Sequence, residues 1–212
     1  MINITADSVK GYKDEMVPYS LLSKKDKADT LVVMFPGGGY TVNFPLLYYP
    51  TLAFLERSFD VLQVNYRTDF YSTLSDEEFD RALIHDVRKV LEHFLQKKNT
   101  YKDFYFIGNS LGTIAMSAVL SNEPFIHAKA VWLTPLLTQD YVFNAMLKSI
   151  SPGLCFIGDN DPFFNQERFN QLRENERIDL KFFEGATHRL EVDNTIETIE
   201  ILKQVIQEIE QF

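Results

Sequence analysis

A single cysteine, Cys155, stands among the 212 residues. One thiol cannot close an intramolecular disulfide, which excludes a small secreted scaffold held by such bridges. Cys155 lies inside the apolar run Leu154-Cys155-Phe156-Ile157, so packing in a buried strand is its expected task. Basic residues are also scarce, with 21 Lys and Arg against 30 Asp and Glu and a net charge of -9. Lys24-Lys25-Asp26-Lys27 and Gln96-Lys97-Lys98 are short and read as solvated charge in a loop and at a helix end. Phosphate binding needs clustered Lys and Arg, so no nucleic-acid partner is expected. No apolar stretch approaches the ~20 residues needed to cross a bilayer. Nor do residues Met1 to Asp7 show the basic segment and apolar core of a signal peptide. The expected setting is the cytoplasm, away from membranes. No G-x-G-x-x-G pattern, P-loop lysine, repeat or linker is present, and one domain is expected over residues 1–212.

Short β-branched and aromatic runs alternate with segments of helical periodicity. Strands are expected at Thr30–Phe35, Asp60–Tyr66, Phe104–Ile107, Ala130–Leu133, Leu154–Ile157 and Leu180–Phe183. Helices are expected from Leu46 to Arg57, after the capping box Ser75–Glu78, and over Leu111–Leu120, Asn165–Asn175 and Thr195–Ile209. The segment before residue 30 reads as an antiparallel edge hairpin. This alternation predicts an α/β fold with a doubly wound, mostly parallel sheet covered on both faces. In such sheets ligands bind beyond the carboxyl ends of the strands. Pro36-Gly37-Gly38-Gly39, Gly108-Asn109-Ser110-Leu111-Gly112, Gly158-Asp159-Asn160-Asp161-Pro162 and Thr187-His188 all fall at such ends.

Gly108 to Gly112 matches G-x-S-x-G, with a strand ending at Gly108 and a helix beginning at Leu111. That setting is the strand-turn-helix of a nucleophile elbow, which exposes a serine on a strained turn above a helix N-terminus. A serine hydroxyl needs a base. His85 and His93 belong to one amphipathic helix, and His127 precedes a strand at the amino edge of the sheet. His188 alone is C-terminal to Ser110 at a carboxyl strand end. Asp159 and Asp161, after the preceding strand, are both placed to orient it.

These residues resemble the α/β-hydrolase superfamily, and within it compact esterases with Pro-Gly-Gly-Gly-Tyr where relatives often carry His-Gly-Gly-Gly. The resemblance rests on Pro36–Tyr40, Asn65-Tyr66-Arg67, Asp86, Gly108–Gly112, Gly158–Pro162 and His188, in the expected order along most of the chain. It implies an α/β-hydrolase fold without a lid domain, and a serine hydrolase cleaving a small carboxylic ester. Thioester, amide or lactone cleavage, or a binding protein that keeps the fold without turnover, are the alternatives. The G-x-x-D pattern assigns the acid to Asp161 and makes Asp159 a turn residue. Oxyanion donors are assigned to the amides of Gly38, Gly39 and Leu111, and proline at position 36 also allows Gly39 with Tyr40. Asp86 and Arg67 are read as structural residues. No metal or cofactor is implied. Tyr40, Phe44 and Phe163 are expected to contact substrate, and Phe70, Tyr71 and Phe164 also sit near strand ends.

Overall fold

Side chains alternate between the two faces of a β-strand, and in this chain both faces are buried. Val33, Phe35, Phe106, Trp132, Cys155 and Ile157 join one core, while Val32, Met34, Ile107, Val131, Leu133 and Phe156 join the other. A computed structural model describes residues 1–25, 27–98 and 100–212; Asp26, within the first basic stretch, lies outside them. Its strands are β1 (Asn3–Lys10), β2 (Met16–Ser23), β3 (Thr30–Phe35), β4 (Asp60–Val64), β5 (Asp103–Asn109), β6 (Lys129–Leu133), β7 (Gly153–Gly158) and β8 (Ile178–Phe183). They form one sheet in the order β1-β2-β4-β3-β5-β6-β7-β8. Strands β3 to β8 run parallel, and the hairpin β1–β2 joins antiparallel at the edge next to β4.

The helices are α1 (Pro45–Glu56), α2 (Thr68–Tyr71), α3 (Asp76–Lys97), α4 (Gly112–Leu120), α5 (Asp140–Leu147), α6 (Gln166–Leu172) and α7 (Thr195–Gln211). Leu46, Leu47, Phe54 and Leu55 of α1 share one face with Val205 and Ile209 of α7. Residues of α3, α4, α5 and α6 cover the other face. All of α4 is buried, as an apolar helix crossing the middle of a sheet must be. Ser75 caps α3 by accepting from Glu78 N, the first half of the expected capping box. Among the described residues no helix is long and apolar enough to cross a membrane. Strand β4 ends at Val64, short of Tyr66, because Tyr66 leaves the sheet to donate its hydroxyl to the carbonyl of Pro36. Helix α6 stops at Leu172, with turns completing the expected segment to Asn175.

Candidate active site

Strand β5 delivers Ser110 into a left-handed backbone conformation, with φ at +50°. Such a conformation costs a non-glycine residue about 1–3 kcal/mol and persists only where its surroundings enforce it. Here Ser110 N donates to Leu133 O at 3.0 Å, and the Thr113 hydroxyl donates to Ser110 O at 2.6 Å. Helix α4 then crosses the end of β3 so closely that a Cβ on Gly112 would lie 2.0 Å from Phe35 O. Only glycine fits there.

His188 follows β8 and reaches Ser110 from the far side, with Nε2 2.7 Å from Oγ. Its Nδ1 lies 2.7 Å from Oδ2 of Asp161. The Asp161 side chain is completely buried, and its Oδ1 accepts from Phe163 N at 2.8 Å. A carboxylate can only accept, which puts the ring proton on Nδ1 and leaves the Nε2 lone pair facing the serine hydroxyl. The ring of Phe163 packs on His188 with centroids 4.9 Å apart. Asp159 turns elsewhere: its Oδ1 accepts from Gly185 N at 2.5 Å. With Asn160 N donating to Ala186 O at 3.1 Å, that bond ties the loop after β7 to the loop after β8. The acid and the histidine are therefore carried on joined loops.

Residues 36–40 form a tight turn closed by Gly37 N donating to Tyr40 O at 2.9 Å. Gly37 abuts the elbow, since a Cβ added there would lie 3.3 Å from Ser110 Cβ. Gly38 and Gly39 are exposed, and Leu111 is half-buried. Among the described residues, the amides of Gly38, Gly39 and Leu111 have no protein acceptor, so they remain open to an incoming anion. The position of Gly38 relative to Leu111 is fixed by contact, with its would-be Cβ 3.8 Å from Leu111 Cδ2.

Among the aromatic residues near the strand ends, Tyr40 needs correction as an expected substrate contact. Helix α1 begins with Pro45 behind Phe44, which offers no side-chain cap. The orphan amide of Leu46 is taken up instead by the Tyr40 hydroxyl, at 3.0 Å. Tyr40 is thus a core and capping residue, and burial pushes its hydroxyl up to about 12. Tyr71 is buried against Asp86, and Phe164 packs on Phe169 and Phe182. Phe44 remains exposed beside Tyr40, and Phe70 is half-buried against Tyr71.

The other residues singled out in the sequence sit away from this cluster. His85 lies exposed against Tyr12, His93 approaches Asp7, and His127 is exposed near Lys129 and Asp103. Cys155 is fully buried, and burial pushes its thiol up. Arg67 pairs with Asp69 and reaches Glu15. Asp86 is buried and accepts from Tyr12 N and the Tyr71 hydroxyl, pinning the turn after β1 and helix α2 to α3. Tyr66, within Asn65-Tyr66-Arg67, anchors the turn at Pro36, and one residue that the sequence reading does not single out is Thr134, whose φ is +43° at the end of β6. Pro135 directly after Thr134 marks a turn there, but no local pattern marks the positive φ of a threonine or its partner on β5. Among the described residues, no group of three or more His, Cys, Asp or Glu side chains is gathered to hold a metal.

No protein-family model matches the chain, and no curated protein does. Solved structures do match. A protein of unknown function from Agrobacterium tumefaciens, described as a candidate α/β hydrolase, is 20% identical with a TM-score of 0.72; the match covers 98% of this chain and 94% of that one. An α/β serine hydrolase homologue from Coxiella burnetii is 17% identical, with a TM-score of 0.69 and 96% of each chain covered. A cold-adapted esterase from an Arctic intertidal metagenomic library is 13% identical at a TM-score of 0.72, covering 99% of this chain and 94% of its own. The strand order, the parallel core and these near-complete superpositions together make the architecture an α/β-hydrolase fold, with no separate lid domain among the described residues.

Proposed function

We propose that the protein is a serine hydrolase that cleaves a small carboxylic ester through an acyl-enzyme on Ser110. The observation that carries this reading is the unbroken hydrogen-bonded chain from Ser110 Oγ through His188 to Asp161, with both links at 2.7 Å. Ser110 Oγ attacks the ester carbonyl carbon while His188 Nε2 takes its proton. Negative charge then gathers on the carbonyl oxygen, where the amides of Leu111, Gly38 and Gly39 supply donors that need no reorganisation. The tetrahedral intermediate collapses, and the alcohol leaves with the proton from His188. A water molecule, deprotonated in turn by His188, attacks the acyl carbon and frees both the acid and Ser110. Asp161 holds the imidazole in the tautomer that each step requires and stabilises the imidazolium.

Substrate size is inferred from the open setting. Ser110 and His188 are half-exposed, with Phe163 against the histidine and exposed Phe44 beyond the glycine turn. Such surroundings suit a short acyl group with apolar contacts on either side. A cytoplasmic setting belongs to the same proposal. The test is hydrolysis of short-chain p-nitrophenyl esters by the wild type and Ser110→Ala. Loss of turnover by a factor on the order of 10³ or more in a variant with unchanged melting supports the reading. Equal turnover by the two proteins contradicts it.

A further inference from the structure

We propose that Thr134 is a positioning residue for the nucleophile, acting through the side chain of Asn109. This rests on the serine-hydrolase reading and adds to it a residue that touches neither Ser110 Oγ nor solvent.

Thr134 is completely buried and holds a left-handed backbone at φ +43°. That region is a genuine outlier for a β-branched residue. Glycine would make the same turn without strain. Threonine brings a hydroxyl, and its Oγ1 accepts from Asn109 Nδ2 at 3.2 Å, a bond buried on all sides. Asn109 is the residue immediately before Ser110.

The other end of the Asn109 amide gives this bond its importance. Asn109 Oδ1 is buried without a hydrogen-bond partner, and it occupies the space beside Gly37. A Cβ on Gly37 would lie 2.7 Å from it. The same amide therefore fixes the distance between the elbow and the glycine turn that carries the oxyanion donors. With Oδ1 unpartnered, the Thr134 hydroxyl is the hydrogen bond that sets the amide's orientation among the described residues.

The backbone around Thr134 links the same parts. Leu133 O accepts from Ser110 N at 3.0 Å, and Thr134 N donates to Phe156 O at 2.8 Å on the strand that leads to Asp161. Leu136 N, two residues on, approaches the Thr113 hydroxyl that holds Ser110 O. The end of β6 thus bridges the strand of the nucleophile and the strand of the acid. Its strained residue points its one polar group at the nucleophile's neighbour.

The experiment compares kcat and KM for a p-nitrophenyl ester in the wild type, Thr134→Val, Thr134→Ser, Asn109→Ala and the Thr134→Val/Asn109→Ala double variant. Fluorophosphonate labelling of each runs alongside. Valine keeps the shape of threonine and removes the acceptor. Thr134→Val should lose on the order of tenfold to a hundredfold in kcat, the scale of a small misplacement of reacting groups, with KM changed less than about twofold. Thr134→Ser should restore kcat to within about threefold of wild type. The double variant should be no slower than the slower single variant, because both changes break one link. Should Thr134→Val fail to fold, Asn109→Ala and Thr134→Ser still decide: loss of kcat in the first with retention in the second supports the role. Wild-type kcat in Thr134→Val or in Asn109→Ala overturns it, as do losses that multiply in the double variant. A wild type that takes no label at Ser110 contradicts the hydrolase reading itself. A labelled wild type with an unaffected Thr134→Val contradicts the positioning role alone.

Discussion

His188 and Asp161 are joined by a 2.7 Å contact between Nδ1 and Oδ2, although 27 residues separate them in the chain. Asp159, only two positions before Asp161, is turned onto the amide of Gly185. Two carboxylates on one loop are thereby given different work, and the difference is measurable. Asp161→Asn should lower ester turnover by about 10⁴-fold with the fold intact, because the imidazole then adopts the wrong tautomer. Asp159→Ala should keep most of its turnover and lose about 1 kcal/mol of stability, the worth of one hydrogen bond. Kinetics and melting curves on the two variants check this, and the opposite pattern would move the acid to Asp159.

Close packing at the elbow makes a second expectation. A methyl group on Gly112 would run into the carbonyl of Phe35 at 2.0 Å, whereas one on Gly38 meets only Leu111 Cδ2 at 3.8 Å. Gly112→Ala should cost on the order of 3 kcal/mol, a fall in Tm of roughly 6–12 °C for a chain of this size. Gly38→Ala should melt within about 2 °C of wild type, as surface changes do. Equal melting temperatures for the two variants would contradict the close crossing of α4 over β3.

Much of this arrangement was legible in the chain itself. The parallel strands are continuous apolar runs ended by glycine or polar clusters, so their cores were readable without tertiary information. The edge hairpin, the parallel strands and the strand-turn-helix around Ser110 follow the pattern closely, whereas the order of the strands in the sheet is set by tertiary packing that no local run records. Helix α5 was missed because it is only 8 residues long and Gln139, at its N-cap, makes no side-chain bond. The role of Tyr40 was hidden for a related reason. The amide it satisfies lies one turn away in α1, and nothing local marks that amide as uncapped. Thr134 and Tyr66 act through partners on other strands, and such pairings leave no trace in local periodicity.

Asp86 gives a prediction about pH. Burial holds its carboxyl above the ordinary carboxylate range, outweighing the opposing hydrogen bonds from Tyr71 and Tyr12. The protonated form is therefore favoured in the folded chain relative to the unfolded one. That contribution is complete below the unfolded aspartate value, about 3.9, and is lost as pH rises through the higher folded value. Asparagine keeps an acceptor for Tyr12 N and never carries charge. The Tm of Asp86→Asn, relative to wild type, should improve as pH is raised from about 4 to 7. A difference that stays flat across that interval would show that the buried carboxyl carries no proton linkage.

The most direct test of the central claim is covalent. A fluorophosphonate reacts with a serine only when its hydroxyl is activated and a donor site accepts the phosphoryl oxygen, so it needs no guess about the ester. Intact-mass measurement after treatment should show one adduct per chain, mapped by peptide sequencing to Ser110. Ser110→Ala should take none, and His188→Ala should label at least about a hundredfold more slowly, in keeping with the loss of its base. An unlabelled wild type, or an adduct of equal yield on Ser110→Ala, would contradict the account.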